Sequence, residues 1–150
     1  MICSFFGHRD VEITDELINK VSNLIESLIV KLGVDTFYFG GFGKFDDLCW
    51  KVVSNLKNKY QNIKRVYCLE DSRYLRPSKR PKYLKDDDYE EYIYLQPTFD
   101  YWYTRIYFRN CEIVNVSDIV IFYATEKQNS GAYKMLKYAN KKKKPIINLA

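Results

Sequence analysis

Histidine is nearly absent: the 150-residue chain has one, His8. The four cysteines, Cys3, Cys49, Cys68 and Cys111, form no C-x-x-C pair. A zinc site needs clustered Cys or His ligands, so neither a metal nor a cofactor is expected. Three of the cysteines sit inside apolar segments, where reduced, buried thiols are the ordinary state, and a cytoplasmic location is expected. With His8 as the only base of its type and no marked nucleophile, there is no Ser-His-Asp or Cys-His arrangement to argue. No apolar run approaches the ~18 residues of a membrane span, so no membrane partner is expected.

Apolar residues make up 47% of the chain, which excludes a disordered segment. The length fits one domain spanning residues 1–150. The opening Met1–Phe6 is apolar, lacks a basic flank and runs at once into Gly7-His8-Arg9-Asp10. It reads as a first buried strand and not as a signal peptide. The net charge of +5, from 24 basic and 19 acidic residues, suits an anionic small ligand or a weak nucleic-acid contact without demanding either. Part of the excess is Lys141–Lys144, which follows a predicted helix and complements its carboxyl end.

Along the chain, strand and helix alternate. After the first strand, Thr14 is placed as an N-cap, and Leu17, Ile18, Val21, Leu24, Ile25, Leu28 and Ile29 repeat at helical spacing up to a C-capping Gly33. Thr36–Phe39 is a short strand. A second helix carries Phe45, Leu48, Cys49, Val52, Val53 and Leu56 on one face and is predicted to run to about Tyr60. Val66–Leu69 centres the third strand. From about 71 to 103 periodicity is lost, in a stretch that holds Pro77, Pro81 and Pro97, a basic run and an acidic run. A helix follows around Ile106–Val114, then the strand Ile119–Tyr123, a helix over Ala132–Lys141 and a last strand at Ile146–Leu149. This order predicts an α/β fold with right-handed crossovers, a mainly parallel five-stranded sheet and helices on both faces. Ligands of such sheets sit at the carboxyl ends of strands, which selects the loops at Gly7–Asp10, Gly40–Asp46, Asp71 onward and Thr125–Gly131.

The densest signal is Gly40-Gly41-Phe42-Gly43 followed by Lys44. Glycines allow a tight turn and close backbone approach, and the next helix offers free N–H groups and a positive dipole end to an anion. The glycine spacing matches neither a P-loop nor a dinucleotide fingerprint. The alternative is that the glycines only make a tight β-α turn. Asp46 and Asp47 open the helix; Asp46 borders the loop and is the candidate for a ribose contact or for general acid–base catalysis. Gly7, His8 and Arg9 form a second candidate loop, with His8 for proton transfer and Arg9 for a phosphate fork. Arg109 and Asn110 are candidates for a phosphate or base contact, with an exposed helix face as the alternative. Ser130-Gly131 marks another helix start suited to an anion. In the irregular stretch, Arg73, Arg76, Lys79, Arg80, Lys82 and Lys85 interleave with Tyr74 and Tyr83, as single-stranded nucleic acid would require. Asp86, Asp87, Asp88, Glu90 and Glu91 then cancel much of that field. Tyr89, Tyr92, Tyr94, Tyr101 and Tyr103 suit either a lid over a pocket or a self-association surface, which leaves a homo-oligomer open.

Taken in order, these motifs resemble the YpsA-like proteins of the SLOG superfamily, which also holds DprA and the LOG phosphoribohydrolases. Cys3-Ser4-Phe5-Phe6-Gly7-His8-Arg9 resembles that group's TGHR opening. Phe39–Asp46 is similar to its strand and glycine turn. Arg109-Asn110 with Ser117-Asp118, Ser130-Gly131-Ala132 with Lys137-Tyr138-Ala139, and Pro145–Leu149 are similar to its later stretches. The chain departs from the PGGxGTxxE run of the LOG enzymes, with Phe39, Lys44 and Asp47 at the proline, threonine and glutamate positions. The resemblance implies a Rossmann-like three-layer α/β/α sandwich that binds or senses a nucleotide-derived ligand. It also implies two alternatives, hydrolysis of a nucleotide N-glycosidic bond and DprA-like DNA binding.

Overall fold

The computed structural model describes residues 1–40, 42–96, 104–126 and 130–150. Its elements are β1 (Ile2–Gly7), α1 (Asp15–Leu32), β2 (Thr36–Phe39), α2 (Lys44–Leu56), β3 (Lys64–Cys68), β4 (Glu91–Ile93), α3 (Arg105–Val116), β5 (Ile119–Tyr123), α4 (Gly131–Lys141) and β6 (Ile146–Asn148). The strands form one sheet in the order β4-β3-β2-β1-β5-β6. Every neighbouring pair is parallel. The architecture is a Rossmann-like α/β sandwich.

The local signals act as their chemistry requires. The Thr14 hydroxyl accepts the Leu17 N–H at 3.1 Å, satisfying one orphan donor of α1. Gly33 closes α1 at φ 71°, a left-handed position where a side chain is strained. Successive residues of a strand face opposite ways, and the core divides accordingly. Cys3, Phe5, Phe37, Phe39 and Tyr67 pack on the face covered by α1 and α2. Phe6, Cys68, Val120 and Phe122 pack on the other face with residues of α3 and α4. Each fully buried Phe or Val in these layers contributes about 1.5–3 kcal/mol. All four cysteines are free and buried. Among the described residues, no helix is long and apolar enough to cross a membrane.

Two expectations need correction. The sheet has six strands and not five, because β4 arises inside the irregular 71–103 segment. Three residues are too few to show alternation; β4 is fixed by tertiary bonds instead. The Glu90 N–H reaches Arg65 O at 2.8 Å and the Leu69 N–H reaches Ile93 O at 2.7 Å. Arg65 then clamps the Glu90 carboxylate, Nη2 to Oε2 at 2.8 Å. The second correction is that α2 ends at Leu56, not near Tyr60. Asn58 and Lys59 donate to the carbonyls three residues back, Asn55 and Leu56, which tightens the chain out of the α-helical spiral.

The topology locates the functional end. From β1 the chain builds outward through β2, β3 and β4, then returns to the other side of β1 for β5 and β6. The direction reverses between β1 and β5, and the crevice beyond their carboxyl ends is where ligands of open parallel sheets bind.

Gly43 precedes α2 at φ 117°, and a Cβ there would lie 2.6 Å from the Arg9 Cα. Gly43→Ala is therefore expected to cost about 2 kcal/mol or more. Gly131, whose added Cβ would meet nothing within 4 Å, is expected to accept Ala within about 1 kcal/mol. Urea midpoints of the two variants check the contrast.

Candidate functional site

At the switch point lies a cleft of about 380 Å³, lined by Gly7, His8, Arg9 and Asp10 from the end of β1, Phe42 and Asp46 from the glycine turn and α2, Ile106, Arg109 and Asn110 from α3, and Ser130 and Gly131 at the start of α4. The structure thus brings together eight of the residues singled out in the sequence.

His8 is 3% exposed, because β1 delivers it between β5 and α4 and not onto an open loop. Its Nε2 accepts the Thr125 backbone N–H at 2.7 Å. A backbone amide has only a proton to give, so Nε2 carries a lone pair and Nδ1 carries the hydrogen. Nδ1–H then donates to Ser130 Oγ at 2.6 Å. Burial lowers the His8 pKa below its ordinary value, in keeping with a neutral ring. Ser130 Oγ also caps α4 by accepting the Tyr133 N–H at 3.2 Å. With both lone pairs engaged, its own hydroxyl hydrogen is left as a donor to the cleft. Gly131 beside it has open space where a side chain would stand. This helix start combines a hydroxyl donor, free backbone amides and the dipole of an 11-residue helix, the components of an anion seat.

Arg109 is 1% exposed, so it is not on an exposed helix face. Its Nη2 donates to Gly40 O and its Nη1 to Cys68 O at 3.2 Å. Nη2 and Nε both donate to Asn110 Oδ1, at 2.9 and 3.2 Å. The Glu70 carboxylate stands 3.6 Å from Nη1. The guanidinium is thereby committed to the protein at the back of the cleft, and the Asn110 amide nitrogen is held at its wall. Gly40 serves this contact, since a Cβ there would stand 3.0 Å from the guanidinium carbon. Lys44 is exposed and lines no cavity described here, while its backbone N–H is held by Arg9 O at 3.0 Å. Gly43 faces the neighbouring cavity. Gly41 lies outside the described residues, as do Tyr101 and Tyr103. Of the described residues of the glycine turn, then, Phe42 and the helix it opens reach the cleft, and Gly40 and Gly43 serve close packing.

Asp46 occupies the border. Burial raises its carboxyl pKa well above the usual range, Arg109 draws it back and Asp47 raises it further. A carboxyl in that state can donate as well as accept a proton.

Sequence reasoning missed a second cavity of about 490 Å³ beside the first, with which it shares Phe42 and Asp46. Trp50, Tyr67, Tyr83 and Asp88 line it. Tyr67 sits inside a strand and reads as core, and Asp88 sits in an acidic run and reads as solvated surface, so neither carries a local signal. Tyr89 also lines this cavity, whereas Tyr92 lies under Arg80, 3.8 Å from its guanidinium. Two residues of the basic run, Arg73 and Arg80, are paired within the fold. Arg73 and Arg105 both pair with Asp71, at 2.7 and 2.8 Å, and Arg80 pairs with Asp86 at 3.4 Å. No group of three His, Cys, Asp or Glu among the described residues is placed to hold a metal ion.

No family model matches this chain, and no curated protein matches it.

Arg109→Met leaves two strand-end carbonyls and Glu70 without their partner in a buried setting. A loss of about 3–5 kcal/mol is expected, read from urea denaturation. His8 gives a pH signature. Its folded pKa lies below the unfolded value of about 6.5, so the unfolded chain binds the proton more tightly. Stability is complete above about pH 6.5 and falls as the pH drops below it. His8→Gln is expected to show a smaller loss than wild type between about pH 7.5 and about pH 5.

Proposed function

We propose that this protein binds a nucleotide-derived ligand, with its phosphate at the start of α4 and its ribose against Asp46. The observation that carries this reading is the convergence of Ser130, Gly131, Arg9, Asn110 and Asp46 on one cleft at the switch point. A phosphate there receives the Ser130 hydroxyl hydrogen and the first amides of α4, while exposed Arg9 supplies a flexible charge from the opposite lip. A ribose offers hydroxyls that a border carboxyl binds as donor or acceptor. The resemblance to YpsA-like proteins supports the same class of ligand.

A second reading, hydrolysis of a nucleotide N-glycosidic bond, draws on one specific observation: the raised Asp46 pKa. A carboxyl whose pKa burial raises holds its proton to a higher pH than an ordinary aspartate, and such a group can protonate a departing base.

Calorimetry with AMP, ADP-ribose, NAD and a cyclic nucleotide tests the binding reading, and at least one is expected to bind at micromolar to millimolar concentration. Ser130→Ala is expected to weaken that binding roughly tenfold, the worth of a hydrogen bond to a charged group. No binding by any of the four defeats the proposal. Release of free base, lost in Asp46→Asn, separates the enzyme from the binder. The same variant has a stability readout. A buried carboxyl with a raised pKa penalises the fold as the pH rises above the ordinary carboxylate range, so Asp46→Asn is expected to raise the urea midpoint at neutral pH.

A further inference from the structure

The second cavity differs in character from the cleft it adjoins. Its walls are aromatic, with Trp50, Tyr67, Tyr83 and Tyr89 among them, and its charged lining is Asp46, Asp47 and Asp88 against Lys51 alone. A phosphate placed here would face the Asp47 and Asp88 carboxylates and the Asp46 carboxyl. The field reaches the rings: after burial and Tyr92, the carboxylates of Asp88, Asp47 and Asp46 raise the Tyr89 pKa.

Two buried side-chain atoms lack a hydrogen-bond partner among the described residues, Tyr67 Oη and Glu70 Oε2, and the second stands 3.6 Å from Arg109 Nη1. Tyr67 is 3% exposed, and its Oη has no hydrogen-bond partner among the described residues. The Tyr83 phenol interacts with it, and the charged groups that act on it are Arg109 and Glu70. A buried hydroxyl left unpaired is costly to the fold. The Tyr67 ring meets Tyr89 edge-on, with centroids 5.2 Å apart, which fixes its place in the cavity wall. By contrast the Trp50 Nε1–H is already bonded to Asp88 O at 3.1 Å. That bond ties the indole to the segment carrying the Asp88 carboxylate. The unmet need in the cavity is therefore a polar partner for Tyr67, inside aromatic walls of net negative charge.

We propose that this second cavity binds a small organic cation, an ammonium or guanidinium group on a short apolar body. One of its N–H groups donates to Tyr67 Oη, its charge is balanced by Asp47 and Asp88, and its body lies against the rings, which attract cations through their negative faces. A metal ion fits poorly, because the carboxylates do not converge into a coordinating group. The inference does not rest on the nucleotide reading. It concerns a separate cavity, and the two share only Phe42 and Asp46 as lining.

Benzylammonium and agmatine are the probes, with benzyl alcohol as the neutral analogue, each titrated by calorimetry into the full chain. The cations are expected to bind saturably, and the alcohol at least tenfold more weakly. Tyr67→Phe keeps the ring and removes the acceptor; a roughly tenfold loss of cation affinity is expected. Asp88→Asn, at a half-buried position that ends a short 3-10 turn, is expected to weaken the cations several-fold and to flatten their salt dependence. It provides the test if Tyr67→Phe does not fold. Ser130→Ala is expected to leave cation binding unchanged while weakening the nucleotide, so the two proposals fail separately. Absence of cation binding at millimolar concentration overturns the inference. So does binding of adenosine or cytidine that depends on Tyr67 while the cations do not bind, which would make the cavity the base end of the nucleotide site.

Discussion

A single buried guanidinium organises this end of the molecule. Arg109 leaves α3 and bonds the carbonyls that finish β2 and β3, Gly40 and Cys68. A cation taken out of water is costly unless it is fully hydrogen-bonded, and that requirement propagates outward. It forces Gly40 to lack a side chain, orients Asn110 at the cleft wall, draws Glu70 close and moderates the pKa of Asp46. The glycine turn, which as sequence suits a close approach to an anion, is thus in part a seat for an arginine. The helix start whose donors suit an anion lies across the cleft at Ser130, which is itself held in place by a neutral histidine.

The two cavities form a pair of opposite character. One presents hydroxyl, amide and arginine donors; the other presents carboxylates, rings and an unmet phenol. Asp46 and Phe42 stand between them. A carboxyl at a boundary between donor-rich and acceptor-rich surroundings has a protonation state set by both, and whatever occupies either side acts on it electrostatically.

Much of the scaffold was legible because its signals are local. Thr14 and Gly33 cap α1 where the apolar stripe begins and ends, and Ile119–Tyr123 reads as a buried parallel strand because both faces are covered. The convergence of the loops after β1 and β5 followed from the alternation of elements alone. What was not legible depends on partners distant in sequence. Strand β4 is three residues fixed by Arg65 from a different strand. Arg109 reads as a surface residue because nothing nearby in sequence announces carbonyls 41 and 69 positions away. His8 reads as a loop residue because Thr125 and Ser130, its partners, lie more than a hundred positions along the chain. The ring-lined cavity is assembled from β2, α2, β3 and the irregular segment, so no window of sequence contains it.

The central place of β1 has a consequence for the order in which the protein is made. Its residues pair on one side with β2 and on the other with β5, Cys3 opposite Ile119 and Gly7 opposite Tyr123. A ribosome emitting this chain delivers the middle strand first and its second neighbour only after more than a hundred further residues. Until then one flank of β1 has bare amides and carbonyls, and Phe6 lacks its stacking partner Phe122. The half-sheet β1–β4 with α1 and α2 has local closure enough to gather early. The crevice at the switch point is complete only once β5 and α4 have docked.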